Sequence, residues 1–408
     1  MEKLNGQQTE LASELDMISE YRPRHSSRIV LSQSALRKNI NFIRKKIGRH
    51  PRISSVVKAN AYGHGIDTFV PLSERCGIDH FATASAFEAE EVLRHRERPE
   101  HSDIMVMGIL YDEDLPWVIS HGIEFFVFDP GRMEKALEVA QRLNKPAKVH
   151  LEVETGTNRT GFSEPYFKQA LKLLKKYPND LHFQGLCTHL AGAESFANQF
   201  RIQRQIMRYR EFDKLVRKKQ LKPVYRHIAC SAAALAYPQT VMDMVRVGIA
   251  QYGFWPSREI YYAHLQEIEK KRDNPLQRVI SWKTNIMDIK MVRQDEFIGY
   301  GTAFQAYRDM KIAVIPLGYS NGYSRSLSNK GHVLIRQKKC PIVGLINMNL
   351  FMVDVSHLPE VHVDDEVVLI GRQKHHAITV GSFSQNTNQL NNEMLARLPA
   401  AIPREIGR

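Results

Sequence analysis

Val56-Val57-Lys58-Ala59-Asn60-Ala61-Tyr62-Gly63-His64-Gly65 places one lysine where a run of strand-forming residues gives way to glycine and small residues. β-Branched residues favour a pleated strand and glycine interrupts it, so Lys58 is predicted at the C-terminal edge of a strand. In a parallel barrel that edge is the mouth, where side chains from several strands converge. A lysine partly desolvated there loses its proton more readily than one in water, and the neutral amine attacks carbonyl carbon. Taken alone, the stretch leaves open a solvated lysine at an ordinary strand end.

Outward from Lys58 the chain alternates strand and helix. Strand-like runs fall at Ser55 to Lys58, His80 to Ser85, Ile104 to Leu110, Glu124 to Phe128, Lys148 to Glu154, Phe183 to Leu190, Tyr225 to Cys230 and Val245 to Gly253. Helical spacing separates them: Leu36, Ile40, Ile43 and Ile47 before the first, Phe87 to Arg96 after the second, Tyr166 to Tyr177 after the fifth. This pattern predicts an α/β fold, a (β/α)8 TIM barrel over residues 28–265 with its site at the strand C-termini. After a charged stretch, Glu267 to Asn274, short runs separated by Gly, Pro and Asn predict a mostly antiparallel β domain over residues 275–408. Its expected strands are Ile312 to Pro316, His332 to Ile335, Ile342 to Leu345, Met352 to Val355 and Glu366 to Ile370.

The 408 residues carry 57 Lys and Arg against 44 Asp and Glu, a formal charge of +13. The basic clusters (Arg44 to Lys46, Lys172 to Lys176, Arg217 to Lys219, Lys270 to Arg272) lie in or beside polar helical stretches without interleaved aromatics. They read as solvated helix faces rather than a nucleic-acid surface, and the excess charge suits anionic small molecules. No apolar run reaches the roughly 18 residues of a membrane span, and residues 1–27 form a polar, acidic extension unlike a signal peptide. A cytoplasmic location is expected. Cys76, Cys187, Cys230 and Cys340 are scattered, which argues against a disulfide framework or a structural metal site.

The whole string VVKANAYGHG resembles the lysine motif of the alanine racemase family, which are fold type III pyridoxal phosphate enzymes, and the resemblance runs from about Ile29 to about Arg404. A bare KAN occurs in related barrels, whereas the following AYGHG is typical of the racemases. The resemblance implies pyridoxal 5'-phosphate as cofactor, bound through a Schiff base to Lys58 with Tyr62 alongside. It also implies that the first strand, around Ile29 to Leu31, pairs with the C-terminal domain.

Further segments carry the likeness. Glu154-Thr155-Gly156-Thr157-Asn158-Arg159-Thr160-Gly161 resembles the family's DTGMGRxG loop, which puts Arg159 near the cofactor and the substrate. Thr188-His189-Leu190-Ala191 resembles THxA, whose histidine contacts the catalytic tyrosine. His227-Ile228-Ala229-Cys230-Ser231-Ala232-Ala233 resembles HxxNSAA, which gives Ser231 to the phosphate, where helix N-terminal amides also converge. Arg246-Val247-Gly248-Ile249 to Gly253 resembles RxGIxxYG. By that match Arg246 faces the pyridine nitrogen, and Gly248 and Ile249 offer amides to the phosphate. A permanent cation there disfavours ring protonation, shortens the life of a carbanion and favours prompt reprotonation over transamination.

Racemisation requires a second base on the opposite face of Cα. Tyr300, in Ile298-Gly299-Tyr300-Gly301-Thr302, resembles the tyrosine of VSYG, which the partner subunit supplies, so a homodimer with shared sites is implied. A phenol with pKa near ~10 needs its anion stabilised, and a chain through His189 to Arg246 would do so. Tyr319, in a PIGYADGY-like segment, is expected to line the access route, and Met348, in a PIVGxxxMD-like segment, to offer its amide to the substrate carboxylate.

Four departures stand out. Asn349 occupies the place of an aspartate, Glu152 that of a frequently carbamylated lysine, Cys230 that of an asparagine and Ile406 that of a pocket tyrosine near the C-terminus. Glu152 is expected to hold Arg159 by charge-assisted hydrogen bonds. Asn349 also resembles the broad-specificity racemases, so a small-molecule amino acid substrate other than alanine is an alternative. A non-catalytic pyridoxal phosphate-binding homologue is a second. A decarboxylase of this fold type would have a C-terminal cysteine motif, which is missing, and a metal-assisted lyase would need a His/Cys pair near the C-terminus.

Overall fold

The computed structural model describes residues 23–267, 274–387 and 390–407, so the first 22 residues and the interior of the charged stretch fall outside the description. Eight strands line one sheet: β2 (Arg52–Val56), β3 (His80–Ser85), β4 (Asp103–Ile109), β5 (Glu124–Val127), β6 (Ala147–Glu152), β7 (Leu181–Cys187), β8 (Tyr225–His227) and β9 (Met244–Val247). They pair in parallel in the order β8-β7-β6-β5-β4-β3-β2-β9. The seam between β8 and β9 is drawn together by Arg246 N–H to the Ala229 carbonyl (3.0 Å) and Asp243 N–H to the Arg226 carbonyl (3.1 Å). The result is a nearly closed (β/α)8 barrel.

All eight expected strands are present, but only β3 runs to its expected end; the other seven stop short, by one residue at β4 and β5 and by up to six at β9. β2 finishes at Val56, β8 at His227 and β9 at Val247. The apolar character continues beyond the last ladder hydrogen bond because the loops at the mouth are themselves buried, as Ala250 and Tyr252 are. The helix Gln33–Ile47 buries Leu36, Ile40, Ile43 and Ile47 as its spacing predicts, and starts where Ser32 Oγ accepts from Ala35 N–H (3.2 Å). Three basic clusters sit in last helical turns: Arg44 to Lys46, Lys175 and Lys176, Arg217 and Lys218. There cations complement the helix dipole.

Alternation inside the barrel sets up the site. Val56, Ala82, Met105, Phe126 and Cys187 form a small apolar cluster, while β2, β3, β5 and β6 turn Ser54, His80, Glu124 and His150 inward, these four without solvent contact. The second sheet is the β domain, joined by β1 (Arg28–Ser32), which pairs antiparallel with β10 (Ile280–Asn285) and in parallel with β18 (Arg404–Gly407). The remaining strands are β11 (Asp288–Val292), β12 (Met310–Ile315), β13 (His332–Ile335), β14 (Lys338–Val343), β15 (Phe351–Asp354), β16 (Glu366–Gln373) and β17 (His376–Ile378). β10, β11, β17 and β18 were not among the expected strands. Polar residues alternate through β10, and β18 has a single aliphatic residue, so backbone pairing rather than composition makes them strands. No helix among the described residues is long and apolar enough to cross a membrane.

Candidate active site

A cavity of about 900 Å³ opens at the C-terminal ends of the barrel strands. It brings together every barrel residue singled out from the sequence: Lys58, Tyr62, Arg159, His189, Ser231, Arg246, Gly248 and Ile249. Lys58 lies two residues beyond the end of β2. Solvent reaches it through the cavity, yet enough protein surrounds its ammonium that desolvation lowers its pKa. The Arg159 and Arg246 cations act in the same sense, and Glu88 opposes them.

The backbone after Lys58 is unusual. Ala59, Asn60, Ala61 and Tyr62 all adopt left-handed conformations, with φ between 52° and 54°. For residues with a Cβ this costs about 1–2 kcal/mol each, so neighbouring groups must hold the turn in place. Asn60 does so internally: its Oδ1 accepts from Ile66 N–H (2.9 Å) and its carbonyl from Gly65 N–H (3.0 Å). His64 Nδ1 bonds the Tyr62 carbonyl (2.9 Å), and its ring packs on Tyr252 at 4.4 Å. Its Nε2 has no partner among the described residues, and burial pushes its pKa down to about 4.

Arg246 is fixed from behind by a buried relay that the sequence did not disclose. Its guanidinium donates to the Thr188 carbonyl (2.8 Å), the His227 carbonyl (2.8 Å) and His227 Nδ1. His227 Nε2 then faces His150 Nδ1 (2.8 Å), and His150 Nε2 faces Glu124 Oε2 (2.8 Å). Because Arg246 only donates, the chain of hydrogen bonds assigns one N–H to each imidazole and leaves both neutral. Glu124 also receives His80 Nε2 (3.1 Å) and Gln184 Nε2 (2.7 Å). Burial opposes the charge of Glu124, but the bonds from His150 and His80 outweigh it and hold the carboxyl well below its usual range. Burial and Arg246 keep His227 well below the usual imidazole value. Arg246 is thus a rigid cation whose counter-charge lies two imidazoles away.

Elsewhere in the cavity wall Gly248 N–H donates to Ser231 Oγ (3.0 Å), while Ile249 N–H has no acceptor among the described residues. A Cβ on Gly248 would lie 2.7 Å from the Tyr62 hydroxyl, so only glycine lets that phenol meet the loop. Burial, with Cys230 nearby, pushes the Tyr62 pKa up to about 12 and keeps it a neutral donor. Amides, a serine hydroxyl, a phenol, a lysine and a fixed arginine thus line one cavity, and together they could hold the phosphate, aldehyde and ring nitrogen of pyridoxal phosphate.

Other expectations need correction. Glu152 does not hold Arg159: it accepts from Thr160 Oγ1 (2.7 Å), and Arg159 is exposed to the cavity without a hydrogen bond or ion pair among the described residues. Burial raises the Glu152 pKa, which weakens it as a charged clamp. His189 makes no bond to Arg246, whose guanidinium is taken up by Thr188 and His227. Burial and the cations Arg246, Arg159 and Lys58 push the His189 pKa down to about 3, so the ring is neutral. Ile406 lies on β18 in register with Leu31 and does not line the cavity; Leu390, Asn391 and Asn392 supply that wall instead. Their polar, loop-like composition gave no sequence signal.

Tyr300, Met348 and Tyr319 are not brought to the cavity of their own chain. They are 72%, 56% and 43% exposed on the β domain. Tyr300 stands between two left-handed glycines, Gly299 (φ 79°) and Gly301 (φ 66°), on a projecting turn. Tyr319 and Met348 share a loop pair closed by Tyr319 N–H to the Asn347 carbonyl and Ser320 N–H to the Met348 carbonyl (both 3.0 Å). Asn349 Nδ2 donates to Ser320 Oγ there (2.9 Å).

A barrel that sets a lysine two residues past the end of its first strand and continues into such a β domain has the build of a fold type III pyridoxal phosphate enzyme. Residues 31–256 match the family model for the alanine racemase N-terminal domain and residues 279–406 that for the alanine racemase C-terminal domain. An alanine racemase of Leptospira interrogans is 32% identical over 381 residues, covering 93% of this chain and 95% of the relative. The alanine racemase structure of Clostridium difficile 630 superposes with a TM-score of 0.85 at 26% identity, covering 94% and 96% of the two chains. That of Bartonella henselae, described with covalently bound pyridoxal phosphate, shares the fold with a TM-score of 0.78 at 24% identity, covering 94% and 100%. The chain belongs to the alanine racemase family, and so to the pyridoxal phosphate-dependent isomerases.

Proposed function

We propose that this chain interconverts L- and D-alanine by a two-base route in a site shared between two copies of itself. The observation that carries the reading is the division of the site: the lysine half lies in the barrel cavity, while Tyr300 and Met348 stand exposed on the other domain. In the head-to-tail pairing proposed here, residues 28–265 supply the cavity and residues 275–408 of a second copy cover it. The location proposed is the cytoplasm.

Bound pyridoxal phosphate would draw electron density from the Cα–H bond and make that proton removable. Ser231, Gly248, Ile249 and Tyr62 would hold its phosphate and Arg246 its ring nitrogen. Lys58, with its lowered pKa, accepts or returns a proton on one face of Cα. Tyr300 of the second copy acts on the other face, where neutral His189 can accept its hydrogen bond and the cluster of Arg159 and Arg246 favours the phenolate. Arg159, free of any internal carboxylate partner among the described residues, and the Met348 amide of the second copy orient the substrate carboxylate. Incubating cofactor-loaded protein in deuterated water separately with L-alanine, L-serine and L-lysine tests the reading. Inversion of alanine with solvent deuterium at Cα is the expected result; retained α-protons with all three would overturn it.

A further inference from the structure

We infer that Glu88 and Arg404 are positioning residues that clamp the two ends of the left-handed turn after Lys58 and so set where the lysine amine points. The inference rests on the reading that Lys58 carries pyridoxal phosphate. At the start of the turn, Ala59 N–H donates to Glu88 Oε1 (2.6 Å), and the other carboxylate oxygen takes Ala84 N–H (2.8 Å) at the end of β3. At its finish, Arg404 Nη2 donates to the Gly63 carbonyl (2.9 Å). The second nitrogen of that guanidinium gathers the carbonyls of Pro399, Ala400 and Ile402.

Neither residue has a simpler task that accounts for these bonds. Ser85-Ala86-Phe87-Glu88 has the form of a capping box, and Ser85 Oγ does accept from Glu88 N–H (3.3 Å). In a capping box the glutamate returns to the amide of the cap residue itself. Here it reaches one residue further back, to Ala84, and across to the lysine turn. Arg404 comes from the last strand, and the same C-terminal segment presses on the turn so closely that a Cβ on Gly63 would meet the Leu395 carbonyl at 1.9 Å. The segment that carries Leu395 also contributes Asn391 and Asn392 to the cavity wall. The turn's strained backbone is therefore held by a side chain from the barrel at one end and by one from the C-terminal strand at the other.

The test separates the covalent from the non-covalent part of cofactor binding. Pyridoxine 5'-phosphate has the ring and phosphate but an alcohol in place of the aldehyde, so it occupies the same site without bonding an amine. Wild-type protein, Glu88→Ala and Arg404→Met are titrated with pyridoxal phosphate and with pyridoxine phosphate, and borohydride trapping followed by peptide mass spectrometry measures the fraction attached at Lys58. Both variants should weaken pyridoxal phosphate at least about tenfold while changing pyridoxine phosphate less than about twofold, because the ring and phosphate contacts are untouched. Equal weakening of both ligands, or no weakening of either, would overturn the inference. Circular dichroism melting of the cofactor-free proteins accompanies the titrations. If either variant fails to fold, Glu88→Gln and Arg404→Lys decide by the same ratio, each retaining part of its partner's bonding. Absence of trapping at Lys58 in the wild type would instead refute the functional reading.

Discussion

Lys58 and Tyr300 sit in opposite physical settings. The lysine stands in a cavity whose walls are braced by buried hydrogen bonds, near two arginines and after a backbone turn that is unfavourable by itself. The tyrosine stands on a glycine-flanked projection with most of its surface in water. Desolvation and neighbouring charge tune the first within its own chain; a buried environment for the second requires another surface. The barrel side of the cavity is preorganised by folding, whereas in the pairing proposed above the β-domain residues would complete it only on assembly. The contrast can be broken at several points.

The largest effect is expected from Lys58→Ala. On the proposed reading it removes both the attachment point and one base, so covalent trapping and racemisation should fall to background, as checked by borohydride reduction and by α-proton exchange. Tyr300→Phe should keep full trapping at Lys58 and lose about 10²–10⁴-fold in inversion, the usual worth of a positioned acid or base. Unchanged inversion in both directions would show that the exposed tyrosine takes no part.

Acid should destabilise the fold through its buried histidines. His64 has its pKa pushed down to about 4 by burial, against about 6.5 in an unfolded chain. The unfolded state binds the extra proton first, so this residue's contribution is complete above pH ~6.5 and is lost as pH falls through the folded value, roughly 3 kcal/mol in all. His150, His189 and His227 are shifted in the same direction, so the whole stability curve should slope the same way. Urea unfolding of cofactor-free protein at pH 7 and pH 4, with His64→Phe beside the wild type, isolates the His64 share; equal slopes for the two proteins would refute it.

The two halves were also unequally legible in the sequence. Strand endings, glycine loops and the lysine motif exposed the barrel half because those features are local: Lys58, Ser231 and Arg246 each follow or lie in a run of strand formers. Glu88 and Arg404 were missed because their partners are remote. Glu88 belongs to an acidic helical run with Glu90 and Glu91 that reads as a solvated face, and Arg404 acts on a carbonyl 341 residues away. The relay from Arg246 to Glu124 was invisible for the same reason, since four strands each contribute one member spaced by the barrel rather than by the chain. The expected salt bridge from Glu152 to Arg159 failed because proximity in sequence did not supply geometry, and Thr160 took the carboxylate.

Mixing two damaged proteins tests the division itself. If each site combines Lys58 of one copy with Tyr300 of another, Lys58→Ala and Tyr300→Phe proteins are each inactive alone. A hybrid pair then holds one intact site, built from the lysine of the Tyr300→Phe copy and the tyrosine of the Lys58→Ala copy, beside one that lacks both groups. Random re-pairing makes about half the dimers hybrid and half their sites intact, so roughly a quarter of wild-type activity should return. Complementation fails if the tyrosine serves the lysine of its own chain, because no subunit then contains both groups. The recovered activity should also vanish on dilution faster than the visible band of the bound cofactor, since the barrel half keeps its ligand contacts when the copies part.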